Sequence, residues 1–105
     1  MKLTTDSRVY DEMQRTLIGA LIESVKAELE AEKLDPALTR KLVENISFSL
    51  AVILDGSRDA SFGNDEVCPV LTFQNEDDDL ISSGGNSWMH EYVFGTIKEV
   101  FSKSQ

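Results

Sequence analysis

An α+β fold, mainly α, is predicted for these 105 residues by three observations. Two long stretches with apolar residues at helical spacing are joined by the few residues from Lys33 to Asp35, and a third such stretch closes the chain. Between the second and third, residues 55–86 are rich in Gly, Asp, Asn and Ser and hold only short β-prone runs. The expected architecture is an antiparallel helical hairpin plus a C-terminal helix around one core, with a short β-hairpin between helices 2 and 3. A chain of this length makes one domain, 1–105.

Met1 to Thr5 reads as a frayed end. Asp6 or Ser7 caps the first helix, which runs to about Glu32, with Tyr10, Met13, Leu17, Leu21, Ile22, Val25 and Leu29 at helical spacing. Gly19-Ala20 marks either a close approach to another helix or a tolerated small residue. So short a connection at 33–35 packs the next helix antiparallel.

The second stretch contains the most apolar run in the chain, Ile46 to Leu54, without a charge. Its flanks favour one helix from Pro36 to Leu54: Asp35 is a good N-cap, Pro36 suits the first helical position, and Gly56 stands where a left-handed terminus is needed. Its expected core stripe is Leu38, Leu42, Ile46, Leu50 and Ile53, flanked by Val43 and Leu54. The same run also alternates with period two, so a break near Asn45 into helix then strand is the alternative.

Asp55 to Glu66 reads as a loop. Val67 to Gln74 is β-prone, with Pro69 confining it to an edge or a strand start. Asn75 to Asp79 is an acidic turn, and Leu80 to Ser82 returns as the second strand of a hairpin. After the Gly84-Gly85 hinge, Ser87 caps a last helix from Trp88 to about Ser102, whose apolar face is Trp88, Tyr92, Val93, Ile97, Val100 and Phe101, extended by Met89 and Phe94.

Charge narrows the function classes. The net charge is −9, and residues 55–91 carry it, with one basic residue (Arg58) against nine acidic. Nucleic-acid backbones and anionic membrane surfaces need a clustered positive face, so both are disfavoured as partners. Cations and basic proteins are what such a chain attracts. No apolar segment approaches the length of a membrane span, the first residues lack the pattern of a secretory signal, and Cys68 is a single cysteine with no intrachain partner. The expected location is the cytoplasm.

Chemistry has few candidates. Asp55, Ser57, Asp59, Ser61 and Glu66 occupy calcium-loop places, but Ala60 stands where that loop needs glycine, and a β-prone segment follows where it needs a helix. Cys68 with His90 and a carboxylate would make a nucleophile, base and orienter, although a cysteine before proline in an apolar segment is more often buried and inert. His90 with Asp55, Asp59 or Asp77 to Asp79 would offer a hard-cation site. Phosphate-loop, dinucleotide, nucleophile-elbow and metalloprotease motifs are absent from the sequence.

The expected function is therefore non-enzymatic and without a cofactor: a small acidic module for protein–protein interaction, as homodimer, inhibitor or adaptor for a basic partner, with Asp77, Asp78 and Asp79 as contact residues. The alternative is a divalent-cation-binding protein or metal-dependent enzyme using the acidic loop 55–66, through Asp55, Asp59 and Glu66, with His90.

Overall fold

The computed structural model describes residues 1–103. Helix α1 (Ser7–Ala31) starts at Asp6, whose carboxylate accepts from the Val9 amide at 3.1 Å. It ends without glycine: Lys33 takes the left-handed turn itself, at φ 56°. Helix α2 (Pro36–Leu54) is unbroken, so the helix-then-strand alternative does not occur. The Asp35 carboxylate accepts from the Ala37 and Leu38 amides at 3.1 and 3.2 Å, Pro36 opens the first turn, and Gly56 follows the last at φ +76°.

The C-terminal helix is preceded by a 3₁₀ turn, Met89–Tyr92, and α3 proper is Val93–Lys103. The N-cap of this segment is Trp88, with no side-chain cap hydrogen bond, rather than the expected Ser87, whose hydroxyl accepts from the Met89 amide at 3.0 Å from one residue earlier. All three helices meet in one core built on Ile18, Ile22, Val43, Ala51, Met89, Val93, Ile97 and Val100.

The buried face of α2 differs from the expected one. Thr39, Val43, Ser47 and Ala51 are buried, while Leu38, Ile46 and Leu50 stay 44, 37 and 40 % exposed. Burial of apolar area drives folding, which favours the larger side chains on the inner face. Here the smaller residues take the buried side of α2, and the bulkier row is left half-buried or exposed. The expected aromatic face of the last helix is likewise split: Val93, Ile97 and Val100 are buried, but Trp88 and Phe94 are exposed. At Gly19 no neighbour lies within 4 Å of a would-be Cβ, so the close-approach reading fails there.

The strands form two small sheets. In the first, of order β1-β5-β4, β1 (Leu3–Thr5) pairs parallel with β5 (Leu80–Ser82), and β4 (Phe73–Gln74) pairs antiparallel with β5. The N-terminus is therefore not frayed. Its side chains are exposed, and backbone pairing holds it, including Leu80 N–H to Lys2 C=O at 2.6 Å and Asp6 N–H to Ser82 C=O at 2.9 Å. The second sheet is a separate hairpin, β2 (Ala60–Phe62) with β3 (Asp65–Val67), which replaces the expected loop over 55–66 and takes Val67 out of the expected long strand. Gly63, at φ +63°, supplies the first central residue of its two-residue turn, the position that a type II′ turn reserves for glycine.

Polar side chains fasten the sheet side to α1. Buried Gln14 accepts from the Ser87 hydroxyl at 2.7 Å and the Trp88 amide at 3.2 Å, and its amide donates to Asp11 at 2.9 Å. The Tyr10 hydroxyl donates to the Leu71 carbonyl at 2.7 Å. Among the described residues no helix is long and apolar enough to cross a membrane.

Candidate functional site

The candidate residues of the sequence fall in three places. The first is the junction where α2 ends against the 3₁₀ turn. Asp55 follows the last residue of α2, and its side chain is fully buried. Its Oδ1 accepts from the Ser57 amide at 3.0 Å, and its Oδ2 accepts from the His90 amide at 3.0 Å and meets His90 Nδ1 at 2.5 Å. Burial pushes the carboxyl's pKa up, but the hydrogen bonds from the His90 amide, its imidazole and Ser57 outweigh that and hold it below the usual carboxylate value.

An ionised carboxylate offers only acceptors, so the proton in this contact belongs to Nδ1. The Ser57 hydroxyl lies 3.0 Å from the same nitrogen. A serine nucleophile needs its base nitrogen on the side of the ring away from the orienting carboxylate. With both groups crowded on Nδ1, the cluster does not meet that geometry, and its plain consequence is to tie the end of α2 to the start of the last helical segment. Phe48 meets the imidazole edge-on at 6.0 Å, and exposed Trp88 lies 6.1 Å from it.

The second place is the β2–β3 hairpin. Alternation along the strands gives it two different faces. Ala60 pairs with Val67 and Phe62 with Asp65, so these side chains share one face; Ser61 pairs with Glu66 on the other, where Asp59 also lies. Asp59 hydrogen-bonds Glu66 and crowds it with like charge, raising the Glu66 pKa above its ordinary value. The first face is open and mostly apolar, with Phe62 at the tip 90 % exposed and Val67 63 %, and it also carries the exposed Asp65 opposite Phe62. Cys68, expected to be buried, is exposed beside it, and Val70 in the following irregular segment is also exposed.

The third place is the β4–β5 turn, which contains Asp77, Asp78 and Asp79. Asn75 organises it, its side-chain oxygen accepting from the Asp77 and Asp79 amides at 2.9 and 3.0 Å, and Asp78 adopts φ 63°. Two of the three carboxylates have internal partners: Asp78 accepts from the Gln74 amide group at 2.9 Å and Asp79 from the Lys2 backbone amide at 3.2 Å.

The fold distributes the acids that the sequence offers as alternative cation ligands and as partner contacts. Asp55 and His90 meet; Asp59 and Glu66 meet on the hairpin; Asp77 to Asp79 form a separate turn. Among the described residues no group of three His, Cys, Asp or Glu side chains is close enough to hold a metal ion. Surface depressions of about 550 and 540 Å³ lie elsewhere, one around Glu30, Leu34, Arg40 and Phe101 and one around Met13, Leu17 and Phe73. What sequence reasoning missed was the hairpin's two-faced character. Its signal was present in Phe62-Gly63-Asn64-Asp65, a turn pair between short runs.

No protein-family model matches the chain, and neither a curated protein nor a solved structure is significantly similar to it.

Proposed function

We propose that this protein is an interaction module that docks onto a basic protein partner through the β2–β3 hairpin. One observation supports the reading: a hairpin with exposed Phe62 and Val67 on one face, where Asp65 stands opposite Phe62, and an acidic face formed by Asp59 and Glu66. An isolated two-stranded hairpin is marginal in water, and neither strand joins the three-stranded sheet, so a partner's surface would supply the burial it lacks. Phe62 is the natural anchor, because aromatic side chains seated in a pocket dominate interface energies. A lysine or arginine of the partner set between Asp59 and Glu66 would relieve their repulsion, and the net charge of −9 would speed its approach. Asp77, with no side-chain hydrogen bond among the described residues of the kind that holds Asp78 and Asp79, adds to the acidic field toward the same class of partner. An adaptor or an inhibitor of a basic protein in the cytoplasm fits this chemistry.

The test uses the immobilised full-length chain at low salt against a cell extract, with Phe62→Ser and the Asp59→Asn/Glu66→Gln pair as comparisons. Proteins retained by the parent chain should be lost with Phe62→Ser, and should release as salt rises past about 0.1 M, where the screening length is about 10 Å. Retention that ignores both substitutions and salt would sink the reading.

A further inference from the structure

We infer that two adjoining hollows, where the end of α3 meets the start of α2, bind a small amphiphilic carboxylate whose charged head lies between Arg40 and Lys98. Its apolar body lies against Phe101 and Leu34. This site is separate from the hairpin and does not depend on its role. Arg40 and Phe101 form the wall common to both hollows. The larger, of about 550 Å³, is otherwise bounded mainly by Leu34 and the first turn of α2, and the smaller, of about 340 Å³, by Lys98 and Ser102. Both volumes fall in the range of small-ligand sites, about 300–1,000 Å³.

Charge decides what enters. The chain has 19 acidic side chains against 10 basic, so its cations have carboxylates in plenty, and Arg8, Arg15 and Lys26 each pair with one. Arg40 and Lys98 make no ion pair among the described residues, yet both border the smaller hollow, whose wall holds no acid. The acid that borders the larger hollow, Glu30, is answered by Lys26 at 3.7 Å. Phe101 steadies the arrangement: the Arg40 guanidinium carbon lies 5.5 Å from its ring centroid and Lys26 Nζ 5.3 Å, so the aromatic wall holds its cations by its π face. A guanidinium offers a planar fork of donors that matches a carboxylate, and Lys98 adds a second positive charge. Two cations beside an apolar wall favour an anion with an apolar body over a bare ion or a neutral apolar molecule. The acidic segment begins at Asp55, about 22 Å along α2 from Arg40 at about 1.5 Å per residue, well beyond the screening length of about 8 Å at physiological salt. Both cations are exposed to solvent, so the affinity is modest.

Titration of the isotope-labelled full chain with hexanoate, followed through its amide resonances at low salt, tests the site. The expected result is a saturable shift of the Arg40, Lys98 and Phe101 signals with a Kd of roughly 0.1–5 mM, weakening severalfold between about 0.05 and about 0.5 M salt. Acetate supplies the head without the body and 1-hexanol the body without the head, and each should bind at least about tenfold more weakly. Arg40→Gln and Lys98→Gln change exposed positions, so the fold should be retained by circular dichroism while hexanoate binding weakens at least about threefold in each. Lys41→Gln, an exposed cation that borders neither hollow, should leave binding unchanged. The absence of a saturable shift, or shifts confined to other residues, overturns the proposal. Binding of acetate or 1-hexanol as tight as that of hexanoate overturns it too, as does hexanoate binding that ignores both Arg40→Gln and Lys98→Gln.

Discussion

Asp55 and His90, thirty-five positions apart, are joined twice: one carboxylate oxygen accepts from the His90 amide at 3.0 Å and meets its Nδ1 at 2.5 Å. The carboxyl is buried and its pKa is held below the ordinary value, so the folded chain binds fewer protons there than the unfolded one as pH falls below about 4. The stabilisation is complete above that value and is lost as pH drops toward the folded pKa. Asp55→Asn should cost about 2–4 kcal/mol at pH 7, since it removes charge-assisted acceptors from two backbone amides and an imidazole. It should also flatten the acid limb of the stability curve. Urea unfolding at neutral pH and at several points below pH about 4 measures both effects, and an acid limb as steep as the parent's would show that other groups dominate it.

Gly56 is required by geometry on two counts. Its φ is +76°, and a Cβ there would stand 2.3 Å from Asn86 Nδ2 and 2.9 Å from the Pro69 carbonyl oxygen. Asn86 cannot swing away freely, because its amide donates to that same carbonyl at 2.6 Å and its oxygen accepts from the Leu71 and Ser87 amides. Gly56→Ala should therefore destabilise the fold by about 2–4 kcal/mol, combining backbone strain with a broken polar knot. A change below about 0.5 kcal/mol in a thermal or urea melt would mean the turn can rearrange.

Ser47 presents the opposite case. It is fully buried in α2, and its hydroxyl has no hydrogen-bond partner among the described residues. A buried hydroxyl without a partner has lost its water and gained nothing, and alanine is also the better helix former. Ser47→Ala should stabilise the protein by about 1 kcal/mol, read as a higher melting temperature. Destabilisation instead would mean that the hydroxyl finds an acceptor within α2 itself.

How legible these features were in the sequence depends on whether they are local. The limits of α2 could be read because Asp35, Pro36 and Gly56 act on their own backbone neighbourhood. Which side of α2 faces inward could not, because the choice between the row of Thr39, Val43, Ser47 and Ala51 and the bulkier row through Ile46 depends on tertiary packing with α1 and α3. Strand β1 left no apolar signal, since all three of its side chains are exposed and its partner lies in residues 80–82. At the candidate site, the residue types of Asp55 and His90 were noticed. Their contact was not foreseeable, because it is created when the 3₁₀ turn packs on the end of α2. The hairpin at 60–67 was the one local element that went unread, hidden under a run of residues that resemble cation ligands.

Phe62 gives the sharpest separation between folding and binding. A buried aromatic cut back to a small residue costs about 3–5 kcal/mol, because burial and packing are lost together. At 90 % exposure Phe62 has almost no burial to lose. Phe62→Ser should therefore move stability by less than about 0.5 kcal/mol, the ordinary range for surface positions, while abolishing capture of a basic partner. Ile18→Ala is the matching control, because Ile18 is fully buried in the core and should lose about 2–5 kcal/mol. The two variants are compared by urea unfolding and then by partner retention at low salt. If Phe62→Ser proves as destabilising as Ile18→Ala, the hairpin packs on its own chain in solution, and its apolar face is part of the fold rather than a surface awaiting another protein.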